Sequence, residues 1–164
     1  MGGQASKVVT VDIGPIGSMD GGAEHLHYVP ADLSRFTKIC IAIDGVGVRS
    51  VLFTYMDKSG NETPLADLVE MVAKIIRIND PCIFNLGTQF YLEDGEDISR
   101  ISGTYEDDKF IKSISMGTRT GDHGPYGPTG THSFILPVSK GKVIGFSGSY
   151  GDYINNFGVV IEPA

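Results

Sequence analysis

The sequence predicts an all-β domain built as a three-sided prism, and three observations predict it: the glycines, the apolar runs and a repeat. Glycine supplies 22 of 164 residues, roughly twice the usual share, and it falls in short clusters between apolar runs, as many tight turns require. The apolar runs are strand-sized and rich in Val, Ile, Phe and Tyr. A unit then recurs three times: a Gly-containing loop, a strand, a turn, a second strand, an acidic or hydroxyl residue followed by Gly, and a closing strand. Its copies run from Gly22 through Asp44-Gly45 to Val51, from Gly87 through Ser102-Gly103 to Ile114, and from Gly130 through Ser147-Gly148 to Phe157. Three units of about four short strands, each with one apolar face, bury those faces together only around a common axis. The first and last strands then complete one sheet.

Along the chain, residues 1–6 are expected as a disordered tail or linker and 7–164 as a single domain. Lys7 to Val11 reads as a first strand, followed by a Gly/Pro loop over 14–22 and a strand over Glu24 to Val29. His25 and His27 share a face of that strand but have no third ligand at a recognisable spacing, so no metal and no cofactor is expected. Phe36 to Ile43 and Arg49 to Tyr55 form a hairpin across Asp44-Gly45. Residues 64–78 break the pattern: Leu65, Leu68, Val69, Val72, Ile75 and Ile76 recur at spacings of three and four. With Pro64 at the opening and Asn79-Asp80-Pro81 at the close, one inserted amphipathic helix is expected there. Gln89 to Leu92 and Ile98 to Ser102 read as hairpin strands across a solvated acidic turn, Glu93 to Asp97, which lacks the residue order of a calcium loop. Phe110 to Met116 is a strand, 121–130 a second Gly/Pro loop, and Ser133 to Pro137 and Val143 to Phe146 are the last strands before the C-terminal hairpin.

Composition excludes several function classes. A net charge of −7 without clustered Lys and Arg argues against nucleic acid. No apolar run is long enough for a membrane-spanning helix, and the first residues carry no secretory signal, so a cytoplasmic protein is expected. Gly2 to Ser6 fits a myristoylation pattern, weakly. Cys40 and Cys82 lie in apolar surroundings and are expected as buried thiols. No nucleophile elbow, phosphate loop or zinc signature is present, so the protein is not expected to be an enzyme.

The most informative stretch is GKVIGFSGSYGDYINNFGVVI, residues 141–161. Two β-rich runs flank a tip in which Gly151, Asp152, Tyr153, Ile154 and Asn155 gather backbone donors, polar side chains and one aromatic ring. That composition suits a shallow polar ligand, read here as a sugar. Together with GPIGSMDGG at 14–22, ISGTY at 101–105, FIKSIS at 110–115 and GPYGPTGT at 124–131, it resembles the jacalin-related lectins of plants. The resemblance implies the β-prism I fold, three four-stranded Greek-key sheets with pseudo-threefold symmetry. It also implies mannose/glucose-type carbohydrate binding, a cytoplasmic place and a link to stress or defence. By the family's pattern the sugar lies between the last glycine of the N-terminal loop, Gly22, and a Gly-x-x-x-Asp loop, matched by Gly151, Asp152, Tyr153 and Asn155. Amides of Asp152 and Tyr153 would donate to the sugar, the Tyr153 ring would cover an apolar face, and residue 155 would accept from hydroxyls. This chain departs from the pattern in carrying Asn155 where the family has Asp, and in one extra residue before Gly22. The partners expected are therefore mannose- or glucose-containing glycans, displayed multivalently by a homodimer or a larger chain. The alternative is a protein-interaction module with a silent sugar site and the helix over 64–78 as its contact.

Overall fold

The computed structural model describes residues 10–17, 24–64, 88–106, 110–138, 141–150 and 153–163. Within them, twelve strands form three four-stranded antiparallel sheets. The first sheet joins the two ends of the chain: β1 (Val11–Gly17), β12 (Ile154–Pro163), β11 (Gly141–Tyr150) and β2 (Glu24–Tyr28), in that order. The second runs β5 (Glu62–Pro64), β4 (Val48–Asp57), β3 (Leu33–Ile43) and β6 (Thr88–Tyr91). The third runs β10 (His132–Leu136), β7 (Arg100–Tyr105), β8 (Ile111–Thr118) and β9 (Gly121–Tyr126). The expected three-sided prism is therefore present, with the first and last strands closing one sheet.

Side chains alternate across each sheet, and the inward sets meet in one core. Phe36, Phe53, Phe146 and Phe157 fill its centre, with Phe53 stacked on Phe146 at 3.3 Å between ring centroids. Ile39 and Ile41 from the second sheet, Ile101, Ile114 and Met116 from the third, and Val159 from the first complete it, all but excluded from solvent. A core shared equally by three sheets cannot lose one of them locally. Phe53→Ala is expected to cost about 3–5 kcal/mol, because both a large apolar area and its packing are lost.

Four sequence expectations need correction. Gly14 to Gly17 and Gly121 to Tyr126, read as loop, are strand: β1 and β9 are edge strands with a register shift at each proline-containing stretch. An edge strand spends half its backbone groups on solvent, so a proline there removes no ladder bond, and Gly14 at φ +86° supplies the turn of the bulge. Secondly, β6 and β7 are not a hairpin; β6 pairs with β3, and β7 with β8 and β10. The Glu93 to Asp97 turn passes from one sheet to the next, and its Glu96 is buried.

Thirdly, the helix over 64–78 is not borne out. No helix occurs among the described residues; Pro64 ends β5, paired with Thr54, and residues 65–78 lie outside the described residues. A proline that closes an edge strand reads in sequence like one that opens a helix. Finally, Cys40 is not a free thiol but disulfide-bonded; the chain's other cysteine, Cys82, lies outside the described residues. The apolar neighbours that suggested burial are real, since Cys40 and Ala42 form a small buried cluster with Leu52. Burial, however, does not tell a thiol from a disulfide. Of the expected first strand over 7–11, Val11 opens β1, and residues 7–9 lie outside the described residues.

Candidate carbohydrate site

The β11–β12 hairpin is closed by a side-chain clamp just below its tip. Asn156, buried, accepts a hydrogen bond from the Ser149 amide on Oδ1 (3.0 Å) and donates from Nδ2 to the Ser149 hydroxyl (2.7 Å). The two residues are register partners, so the amide side chain bridges the strands where the backbone ladder is about to open. Beside it, Gly17 at the end of β1 carries a φ of +129° and lies so close that a Cβ would fall 2.6 Å from the Asn155 carbonyl oxygen. Position 17 therefore has to be glycine for β1 to abut the tip.

Tyr153, at the tip, is held by residues of the other two sheets. Its hydroxyl donates to Asp44 Oδ2 at 2.6 Å, its ring stacks on Phe110 at 4.4 Å and 17°, and the Arg49 guanidinium lies 5.7 Å over the ring. Asp44 and Arg49 flank the β3–β4 turn, and Phe110 immediately precedes β8. The three sheets thus meet at one half-buried tyrosine. The turn is itself organised by Asp44, whose Oδ1 accepts from the amides of Val46 (2.8 Å) and Gly47 (3.0 Å). Gly47 has no side chain because a Cβ would lie 2.5 Å from the Phe110 ring. Partial burial pulls the Asp44 carboxyl up. The Tyr153 hydroxyl, the two amides and Arg49, 3.7 Å away, outweigh that and hold it below its ordinary 3.8.

The same end carries one further tie. Glu106 accepts from the Thr131 amide (3.0 Å) and hydroxyl (2.6 Å), and Thr104 accepts from the Gly130 amide (2.8 Å). The 127–131 loop is thereby fastened to the β7–β8 connection.

Of the expected site residues, Tyr153 and Asn155 are placed at this end, with Asn155 half-buried in β12 directly after the buried Ile154. Gly22, Gly151 and Asp152 lie outside the described residues. Tyr153 is not an isolated ring: one face is covered by Phe110, and its hydroxyl is committed to Asp44. Asp44, Arg49, Phe110, Ser149 and Asn156 were not singled out from the sequence as partners of the tip. Only Asp44 carried a local signal, the Asp-Gly-x-Gly order of a side-chain-capped turn. Among the described residues no group of three His, Cys, Asp or Glu side chains can hold a metal; His27 instead meets Asp12 at 2.8 Å.

The comparisons with known proteins settle the family. The jacalin-like lectin domain model matches residues 13–160. The chain belongs to the jacalin-like lectin family. A mannose/glucose-specific lectin of Parkia platycephala is 36% identical over 74 residues, 42% of this chain and 17% of the relative. PYK10-binding protein 2 of Arabidopsis thaliana is 29% identical over 136 residues, 81% of this chain and 42% of the relative. The chain thus spans less than half the length of these relatives. In fold it is similar to a Malaysian banana lectin, with a TM-score of 0.70 at 20% identity over 95% of this chain and 100% of that one. A mannose-binding jacalin-related lectin of Ananas comosus gives 0.68 at 19% identity over 94% and 99%. Both are lectin folds of the same β-prism type, as the three sheets here require. The family is one of non-enzymatic carbohydrate-binding proteins.

Proposed function

We propose that this jacalin-related lectin binds mannose- or glucose-type glycans at the β11–β12 tip, with Gly22, Gly151, Asp152, Tyr153 and Asn155 as its contacts. The observation that carries the reading is the convergence of the three sheets on Tyr153. A shallow site for a polyol needs its few polar groups fixed before the ligand arrives, because a weak ligand cannot supply the cost of ordering a loop. The Asp44 bond, the Phe110 stack and the Asn156 clamp supply that order from within the protein. Relatives named for mannose or glucose support the sugar class.

Asn155 tunes the site. A carboxylate there would accept charge-assisted hydrogen bonds from sugar hydroxyls, while an amide offers one acceptor and two donors. Asn155→Asp is expected to tighten mannoside binding by about 1 kcal/mol, roughly fivefold. Titrating multivalent mannose and glucose glycans against wild type and Asn155→Asp tests this. Binding by both, tighter in the variant, supports a working lectin; silence from both overturns it. Weak single-site affinity calls for multivalent display, in a dimer or a longer chain.

One observation favours a second reading, a protein-interaction module: a relative aligned over 81% of this chain is named for binding PYK10 and not for binding a sugar. Binding by Asn155→Asp alone, with wild type silent, would move the search to protein partners. The disulfide at Cys40 favours an oxidising compartment over the cytoplasm expected from the sequence.

A further inference from the structure

We propose that the outer face of the third sheet carries a second binding site, for a single neutral pyranose ring, seated between the Arg100–Asp122 pair and the hydroxyls of Ser102 and Ser115. This site is separate from the β11–β12 tip and does not rest on the reading given above.

The geometry follows from register. Arg100 on β7, Gly117 on β8 and Asp122 on β9 are direct neighbours across three strands. Because position 117 has no side chain, the two charged residues lean over it and form an ion pair. A Cβ at 117 would fall 2.6 Å from an Arg100 guanidinium nitrogen and 2.7 Å from an Asp122 carboxylate oxygen. One pleat along, Ser102 and Ser115 are opposite each other on the same face. Gly124 again leaves out a side chain, and Pro125 forms the adjoining wall. These residues line an open cleft of about 190 Å³, below the ~300–1,000 Å³ of sites for larger ligands and suited to one sugar ring.

The chemistry matches a polyol better than an ion. The guanidinium and the carboxylate cancel in charge, so neither an anion nor a cation gains from entering. Yet the guanidinium retains free donors and the carboxylate free acceptors after one pairing. The Ser102 and Ser115 hydroxyls make no hydrogen bond among the described residues and offer both roles. A pyranose presents vicinal hydroxyls that donate and accept at once, and a C–H face that Pro125 and the Met116 backbone region can cover. Position also separates this site from the tip: Arg100 begins β7, whereas Tyr105, at its other end, leads toward Phe110 and Tyr153.

The test is an amide chemical-shift titration of the full chain with methyl α-mannopyranoside, methyl α-glucopyranoside and methyl β-galactopyranoside. At least one is expected to give saturable shifts at the Gly117, Gly124 and Ser115 amides, and these shifts are expected to persist in Tyr153→Ala. Gly117→Ala should fold, since its added methyl meets only the flexible ends of two exposed side chains. It should weaken the lateral shifts at least tenfold while leaving any response at Ser149 and Asn156 unchanged. Asp122→Asn and Ser102→Ala should each weaken them several-fold, with unchanged thermal midpoints. Shifts confined to the tip, no lateral response to any of the three glycosides, or lateral shifts indifferent to Gly117→Ala would overturn the site. A response at Gly117 without one at Asn156 would sink the tip reading and leave this one standing.

Discussion

Two carboxylates at opposite ends of the prism do different work. Glu96, at the end where β8 turns into β9, is 3% exposed. It accepts hydrogen bonds from the hydroxyls of Thr118 and Thr120, and the Glu93 amide donates to it at 2.9 Å. The two threonine hydroxyls and the Glu93 backbone outweigh its burial and hold its carboxyl at about 2, well below the ordinary 4.5. Asp44, at the end that carries the β11–β12 tip, is only part-buried and shares its oxygens between its own turn and the tyrosine of that tip. The first carboxylate satisfies the passage between two sheets and leaves nothing exposed for a ligand. The second holds the half-buried Tyr153 in place. Burial with both oxygens satisfied marks a structural group; partial exposure with a bond to a residue of the tip marks a positioning one.

This contrast can be broken in a defined order. Glu96→Gln should have the largest effect on stability, roughly 1–3 kcal/mol, as charge-assisted bonds from two hydroxyls and an amide are weakened, with glycan binding unchanged; denaturant unfolding and glycan titration together check it. The same group sets an acid limit. Because its folded-state value is depressed, its contribution is complete above about 4.5 and is lost as pH falls through about 2. The thermal midpoint should therefore decline across that window, and Glu96→Gln should flatten the decline. Asn156→Ala should cost about 1–2 kcal/mol by leaving the buried Ser149 amide without its partner. Unlike Glu96→Gln, it should also loosen the tip and weaken glycan binding. Tyr153→Phe should have the smallest effect on stability, about 1 kcal/mol or less, yet reduce glycan affinity several-fold, since it unties the tip from Asp44.

The architecture was legible because it depends on period-two apolar runs, glycine clusters and a repeat, all of which survive in a linear reading. Glycine and proline were misleading where they sit on edge strands. Gly14-Pro15 and Gly124-Pro125 read as loop because a sequence does not say which strands lie at a sheet's rim, where a missing donor costs nothing. The acidic run at 93–97 reads as solvated for a similar reason. Glu96 owes its burial to Thr118 and Thr120, more than twenty residues away, and no local pattern encodes that meeting. At the β11–β12 tip, Tyr153 and Asn155 stood out by composition, while Asp44, Arg49 and Phe110 did not. Their role exists only because three sheets converge, and convergence is a property of the closed prism. Cys40 shows the same limit, since its apolar neighbours report burial but not pairing.

The proposed tip site is a glycan site positioned by Tyr153 and independent of the far end. It is tested most directly by titrating one multivalent mannosylated ligand into wild type, Tyr153→Phe and Glu96→Gln, with thermal midpoints measured alongside. Binding in wild type, several-fold weaker binding in Tyr153→Phe at a nearly unchanged midpoint, and wild-type affinity in Glu96→Gln at a lowered midpoint is the predicted result. Equal affinity in wild type and Tyr153→Phe, or loss of binding in Glu96→Gln while it remains folded, would contradict it.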